Sequence, residues 1–346
     1  MERNPFVDVL KGIFIIFVII LHFPFETREQ LQYLFPFWIT LTVPFFMMIS
    51  GYVSALSLKK RGIERPEEAY SPGMMAEKIL RYTIPFTIAF GAEWILFRAF
   101  GVYRVGIKTY GLFAFVQDYL TGGKGPGSYY FPMMIQFVFL FPVIYFVIRR
   151  YRFRGLLGCL GANAVFELLK TAYGMSDTEY RLLVLRFLFV IGAGCYVALK
   201  QGKQSRAEKF TAVAALVAGA GFIYLFSYTS YAPKVLTYWA HVSFAPCLAV
   251  VPVLGFILAK GRMGCKPIEL IGRASFHIYL VQMIYYNFAE RIYALIPGKG
   301  MQLLCNILLC VTVGVLFYLA ERPLNRAICS RVRRICAIKK NETIVP

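Results

Sequence analysis

Charge is scarce in this chain of 346 residues: 16% of positions are charged, against 58% hydrophobic and 17% aromatic. So low a charged share beside so high an apolar one excludes an ordinary soluble domain and points to a membrane protein with many spans. Acids are the scarcer sign, 18 against 38 Lys and Arg, for a net charge of +20. In a soluble chain that excess would suggest nucleic acid. Here the bases fall between apolar runs, where topology and anionic headgroups account for them, so membrane lipids are the expected partner and nucleic acid is not. The eight cysteines include no CxxC pair, and neither a zinc site nor a disulfide framework is expected. No metal is expected. The chain also lacks an internal repeat and a low-complexity tract. Pro24, Phe25, Glu26, Thr27 and Arg28 follow the first apolar run in place of a small-residue cleavage site, so that run is read as a spanning helix.

A span needs about 20 mostly apolar residues. Ten can be placed, near 6–23, 35–58, 82–100, 130–148, 155–171, 182–199, 210–228, 239–259, 268–289 and 301–320. With the N-terminus inside, 27 of the 38 Lys and Arg fall on the cytoplasmic side and 11 outside. The positive-inside rule therefore predicts both termini in the cytoplasm. The fold class is all-α: one polytopic helical bundle over 1–325, with a basic cytoplasmic tail over 326–346. Arg61 to Lys78 mixes acids with bases and reads as a solvated loop or surface helix. The longest external connection, about Gly101 to Tyr129, holds an amphipathic piece from Leu112 to Leu120 and then GGKGPGS. That order is not a phosphate-binding GxxxxGK[ST] and reads as a flexible loop.

The first span, DVLKGIFIIFVIILHFPF from Asp8 to Phe25, carries most of the chemistry. As a helix it sets Asp8 and Lys11 on one face. Eleven positions, about 16 Å of helical rise, separate Lys11 from His22. A cation at one end and a base at the other suit a substrate that spans much of the bilayer. Lysines and histidines also occupy interfaces simply because their polar ends reach water, and that reading stays open. Glu93 lies in an apolar span, where a lone carboxylate is costly unless paired or facing an aqueous cavity. Glu167 and Lys170 read as a structural pair one turn apart. Arg186 faces either the protein interior or, by snorkelling, the outer interface. Tyr130 suits headgroup depth, and His277 is equally a hydrogen-bonded core histidine or a participant.

Together these pieces resemble the membrane-bound acyltransferase family 3, whose O-acetylases modify cell-envelope and secreted polysaccharides and other acceptors. The resemblance rests on D-x-L-K/R-G with a helix ending in His (Asp8, Leu10, Lys11, Gly12, His22) and on FFMMISGY from Phe45 to Tyr52. It continues through Arg81 with Ile84-Pro85-Phe86, G-x-x-S-x-x-I-Y-L from Gly272 to Leu280, and Glu321-Arg322-Pro323. Two positions depart from it: Lys11 stands where arginine is common, losing the planar fork, and Gln282 stands where many members carry histidine.

The resemblance implies a multi-pass protein of a bacterial cytoplasmic membrane that moves an acetyl group from acetyl-CoA to a carbohydrate hydroxyl. His22 would be the catalytic base, or a nucleophile through an acetyl-histidine. Lys11 and Arg81 would hold the donor's phosphates, and Asp8 would orient Lys11 or cap the helix. Glu93, Tyr130, Arg186 and His277 are further candidates for substrate contact. A transporter or flippase for a lipid-linked sugar is the alternative, although the repeat symmetry common in transporters is missing.

Overall fold

The computed structural model describes residues 4–100, 112–200, 205–230 and 244–342. They form helices α1 (Pro5–His22), α2 (Thr42–Lys60), α3 (Pro72–Phe100), α4 (Leu112–Thr121), α5 (Tyr130–Tyr151), α6 (Phe153–Ala172), α7 (Leu188–Leu199), α8 (Arg206–Tyr228), α9 (Cys247–Lys260), α10 (Lys266–Arg273), α11 (Ser275–Tyr285) and α12 (Lys299–Glu342), joined by shorter turns and with no strand among the described residues. Among the described residues six stretches are long and apolar enough to cross a membrane: Pro5–His22, Phe35–Lys60, Pro66–Phe100, Tyr130–Tyr151, Arg206–Tyr228 and Lys299–Cys336. Each overlaps an expected span. The other four expected spans correspond to α6, α7, α9 and the α10–α11 pair, which are shorter or less apolar. Residues 101–111 of the long connection and 239–243 of the eighth expected span lie outside the described residues.

Helix α1 is shared between two apolar cores. Phe6, Val7, Leu10 and Phe14 pack with α2, α5 and α7, while Ile15, Val18 and Ile19 pack with α3, α11 and α12. Glycines set the closest crossings, as they do where helices associate without a side chain between them. A Cβ on Gly12 would lie 2.4 Å from the Ile268 carbonyl oxygen, and one on Gly272 would lie 1.7 Å from that of Asp8. The D-x-L-K-G and G-x-x-S segments thus meet backbone to backbone.

Several expectations need correction. The stretch 182–199 is not one helix: Val184–Phe187 forms a 3-10 turn, and α7 starts at Leu188. Gln136 of α5 sustains the break. Its Nε2 donates to the Leu182 carbonyl at 2.7 Å and its Oε1 accepts from Val184 N at 3.2 Å, supplying partners that the interrupted backbone has lost. Residues 268–289 likewise form three pieces, α10, α11 and Ala289–Tyr293. Asn4, not Asp8, caps α1, accepting from Phe6 N at 3.1 Å. Glu77, placed by sequence in a solvated connection, lies on the second turn of α3 and is 4% exposed. Around the expected Glu167 and Lys170 pair stand further partners: Lys170 pairs with Asp177 at 2.8 Å, and Glu167 accepts from the Tyr180 hydroxyl at 2.6 Å.

The backbone has no break at 325–326. Helix α12 runs 44 residues, about 66 Å at helical rise and about twice the hydrocarbon thickness of a bilayer. At its start Lys299 pairs with Glu29 at 2.8 Å and Glu26 at 3.4 Å, just beyond the end of α1. Hydrogen bonding to that ammonium holds the Glu29 carboxyl below its ordinary range. Toward the other end Arg333 pairs with Glu77 of α3 at 2.8 Å.

Candidate active site

A cavity of about 720 Å³ follows the seam between the two cores, flanked by Phe46, Tyr82 and Tyr130, which pack against both. Lys11, Arg81, Arg273, Arg322, Arg326 and Arg333 line one end. At the other end are Leu21, His22, Gly127, Tyr129 and Tyr279. Helix α1 runs the length of the space, which gives the Lys11 to His22 rise of about 16 Å its physical meaning.

No hydrogen bond engages the imidazole of His22 among the described residues, and the ring lines the cavity. Its neighbours fix its place. The Tyr286 hydroxyl donates to the Ile19 carbonyl at 2.6 Å, in the last turn of α1, and the Tyr286 ring lies 6.0 Å from that of His22. Asn306 of α12 supports the clamp, donating to the hydroxyls of Tyr286 at 3.3 Å and Tyr293 at 2.6 Å. We expect Tyr286→Phe to lower kcat about two- to tenfold, the value of one hydrogen bond. KM for the donor should stay unchanged, since the basic end is distant, and a steady-state comparison of the two constants checks this.

The glycine loop is a pinned turn over His22 rather than a flexible connection. Gly122, Gly123 and Gly127 have φ of 92°, 94° and 84°, which the absence of a Cβ permits. Lys124 N donates to Glu93 Oε1 at 3.2 Å, the Lys124 ammonium pairs with Asp118 at 2.6 Å, and the Tyr279 hydroxyl donates to the Gly127 carbonyl at 2.9 Å. A Cβ on Gly127 would sit 3.8 Å from His22 Nε2. Glu93, 2% exposed, is therefore an anchor for this loop and does not line the cavity.

Of the residues singled out by sequence, His22, Lys11, Arg81, Tyr130 and His277 line the one cavity. Tyr130 lines the cavity together with Ser50 of the FFMMISGY segment, and its ring meets that of Tyr279 at 5.3 Å. His277 Nε2 lies 3.1 Å from Glu321 Oε2, and Glu321 Oε1 accepts from Asn325 at 2.6 Å. Asp8 and Arg186 stand behind the wall. Asp8, 2% exposed, pairs with Arg273 at 3.5 Å. Arg186, also 2% exposed, lies over the ring of Tyr129 at 4.8 Å and over that of Tyr180 at 5.5 Å.

Sequence reasoning missed Tyr279, Tyr286, Asn306, Gly127 and Glu77. Tyr279 and Gly127 stood inside segments already noted, but their mutual contact joins positions 152 apart. No local spacing signals such a pair.

A helical membrane protein with an elongated cavity, basic at one end and holding an imidazole at the other, is what the fold and this geometry define. The family model for the acyltransferase family 3 domain matches residues 4–321, and the chain belongs to that acyltransferase family. No curated protein and no solved structure matches the chain.

Proposed function

We propose that this acyltransferase moves an acetyl group from acetyl-CoA, entering from the cytoplasm, to a hydroxyl of a sugar in a cell-envelope or extracellular polysaccharide, across a bacterial cytoplasmic membrane. The observation that carries the reading is that Lys11 and Arg81 share a cavity with His22. A phosphate-bearing donor held at the basic end would extend its pantetheine arm along α1 and present the thioester carbonyl to the imidazole. His22 takes the proton of the acceptor hydroxyl as its oxygen attacks that carbonyl. The tetrahedral intermediate collapses with loss of the thiolate, which recovers the proton from the imidazolium. An imidazole is suited to both transfers because its reference pKa lies near neutrality. Gly127, Tyr129 and Tyr130 line the cavity near His22 and would offer polar contacts to a sugar.

Membranes containing the protein should transfer label from radiolabelled acetyl-CoA to envelope glycan. Vesicles should not take up lipid-linked sugar in a protein-dependent manner; the opposite pair of results would support the transporter reading. Lys11→Ala should raise KM for acetyl-CoA about tenfold, as expected for loss of one charge-assisted contact. An unchanged KM would make Lys11 an interface anchor.

A further inference from the structure

The matched family domain ends at residue 321, yet the cavity wall does not. Helix α12 continues without interruption, and Tyr318, Arg322, Asn325, Cys329 and Arg333 recur on it at intervals of four, three, four and four, all lining the cavity with Arg326. That spacing keeps one face of the helix toward the cavity for four turns. Arg331 and Arg334, on the same segment, do not line it.

Two observations give this face a ligand chemistry. First, the cavity-lining residues at the basic end comprise six bases, Lys11, Arg81, Arg273, Arg322, Arg326 and Arg333, against the acids Glu77 and Glu321. Second, the Glu77 carboxylate, 4% exposed, is the focus of three guanidiniums from three parts of the chain: Arg333 at 2.8 Å, Arg81 at 3.1 Å and Arg61 at 3.7 Å. Guanidiniums so converged can each fork onto two oxygens of a tetrahedral phosphate as well as onto those of a planar carboxylate. A diphosphate with an added phosphomonoester carries about four negative charges near neutrality, close to the excess of bases in the wall.

We propose that the helix beyond the family domain completes the donor site, with Arg326 and Arg333 holding the phosphate groups of the coenzyme A thioester. The inference rests on the donor class proposed above and adds to it a segment outside the acyltransferase domain. It competes with the ordinary reading of basic residues near a membrane, which is attraction to anionic headgroups. Both sources present a phosphate anion, but only a donor in the cavity distinguishes Arg326 and Arg333 from Arg331 and Arg334.

The test is calorimetric titration of coenzyme A and 3′-dephospho-coenzyme A into the full chain in nanodiscs of zwitterionic lipid, repeated with anionic lipid. Arg326→Ala and Arg333→Ala should each weaken coenzyme A binding about tenfold, or 1.4 kcal/mol. At least one of them should narrow the difference between the two coenzymes. Arg331→Ala and Arg334→Ala should stay within about twofold of the unsubstituted protein, as expected for surface charges in high dielectric. Equal weakening in all four variants, or weakening confined to anionic nanodiscs, would assign the segment to headgroups and overturn the proposal. Should Arg333→Ala fail to fold through loss of its Glu77 contact, Arg326→Ala decides alone. Absence of coenzyme A binding by the unsubstituted protein would instead reject the donor class itself.

Discussion

His22→Ala is expected to lower acyl transfer by about 10²–10⁴-fold, the range for a positioned general base, and to leave the protein folded and inserted. The size of the effect follows from what else stands at that end of the cavity. Leu21, Gly127, Tyr129, Tyr130 and Tyr279 line it, and none of the carboxylates that line the cavity, Glu77 and Glu321, belongs to this group. The other lining imidazole, His277, is engaged by Glu321 at 3.1 Å. Folding should survive because no described residue hydrogen-bonds the His22 ring, and the clamp on the last turn of α1 acts through the Ile19 carbonyl. Transfer from labelled acetyl-CoA, read beside the thermal midpoint in detergent, separates loss of chemistry from loss of structure. Retained transfer in His22→Ala with loss in His277→Ala would move the base to the middle of the cavity.

For Gly272→Val the expected loss is in the fold and, through it, in the basic end of the site. Any Cβ at position 272 would lie 1.7 Å from the Asp8 carbonyl oxygen and 3.0 Å from Gly12 N, well inside contact distance. Neither obstacle is a flexible side chain that can rotate away. The helices must separate, carrying Lys11 away from Arg273 and uncovering the apolar seam that α1 fills. We expect destabilisation of about 3 kcal/mol, the upper part of the range for overpacked interiors. In whatever protein remains folded, KM for the donor should rise. Thermal unfolding in detergent measures the first effect and donor titration the second. An unchanged midpoint would mean that the α1–α10 crossing is looser than its backbone contacts imply.

What could be read from residues alone divides along physical lines. The all-α class and the six long apolar helices follow from runs of hydrophobic residues, a property each segment carries by itself. His22, Lys11, Gly12 and Gly272 were legible because their segments match a family pattern, and the structure brings those segments against each other. The break before α7 was not legible, since LLVLRFLFV is apolar but for Arg186 and the side chain that sustains the break, Gln136, lies some 46 residues earlier. The glycine loop was legible as a loop but not as one pinned over His22, because Glu93, Asp118 and Tyr279 anchor it from three separate helices. Bases between 326 and 334 carry the composition of a headgroup-binding tail. Only the helix face on which they lie sets Arg326 and Arg333, rather than Arg331 and Arg334, along the cavity wall.

Lys299 and Arg333 belong to a single rod, yet one grips the stretch just past His22 and the other grips the wall near Arg81. A slide of that rod by one residue's rise, about 1.5 Å, strains both grips together. The stretch just past His22 and the wall near Arg81 are thereby tied to one common support, although more than thirty residues separate the two contacts along it.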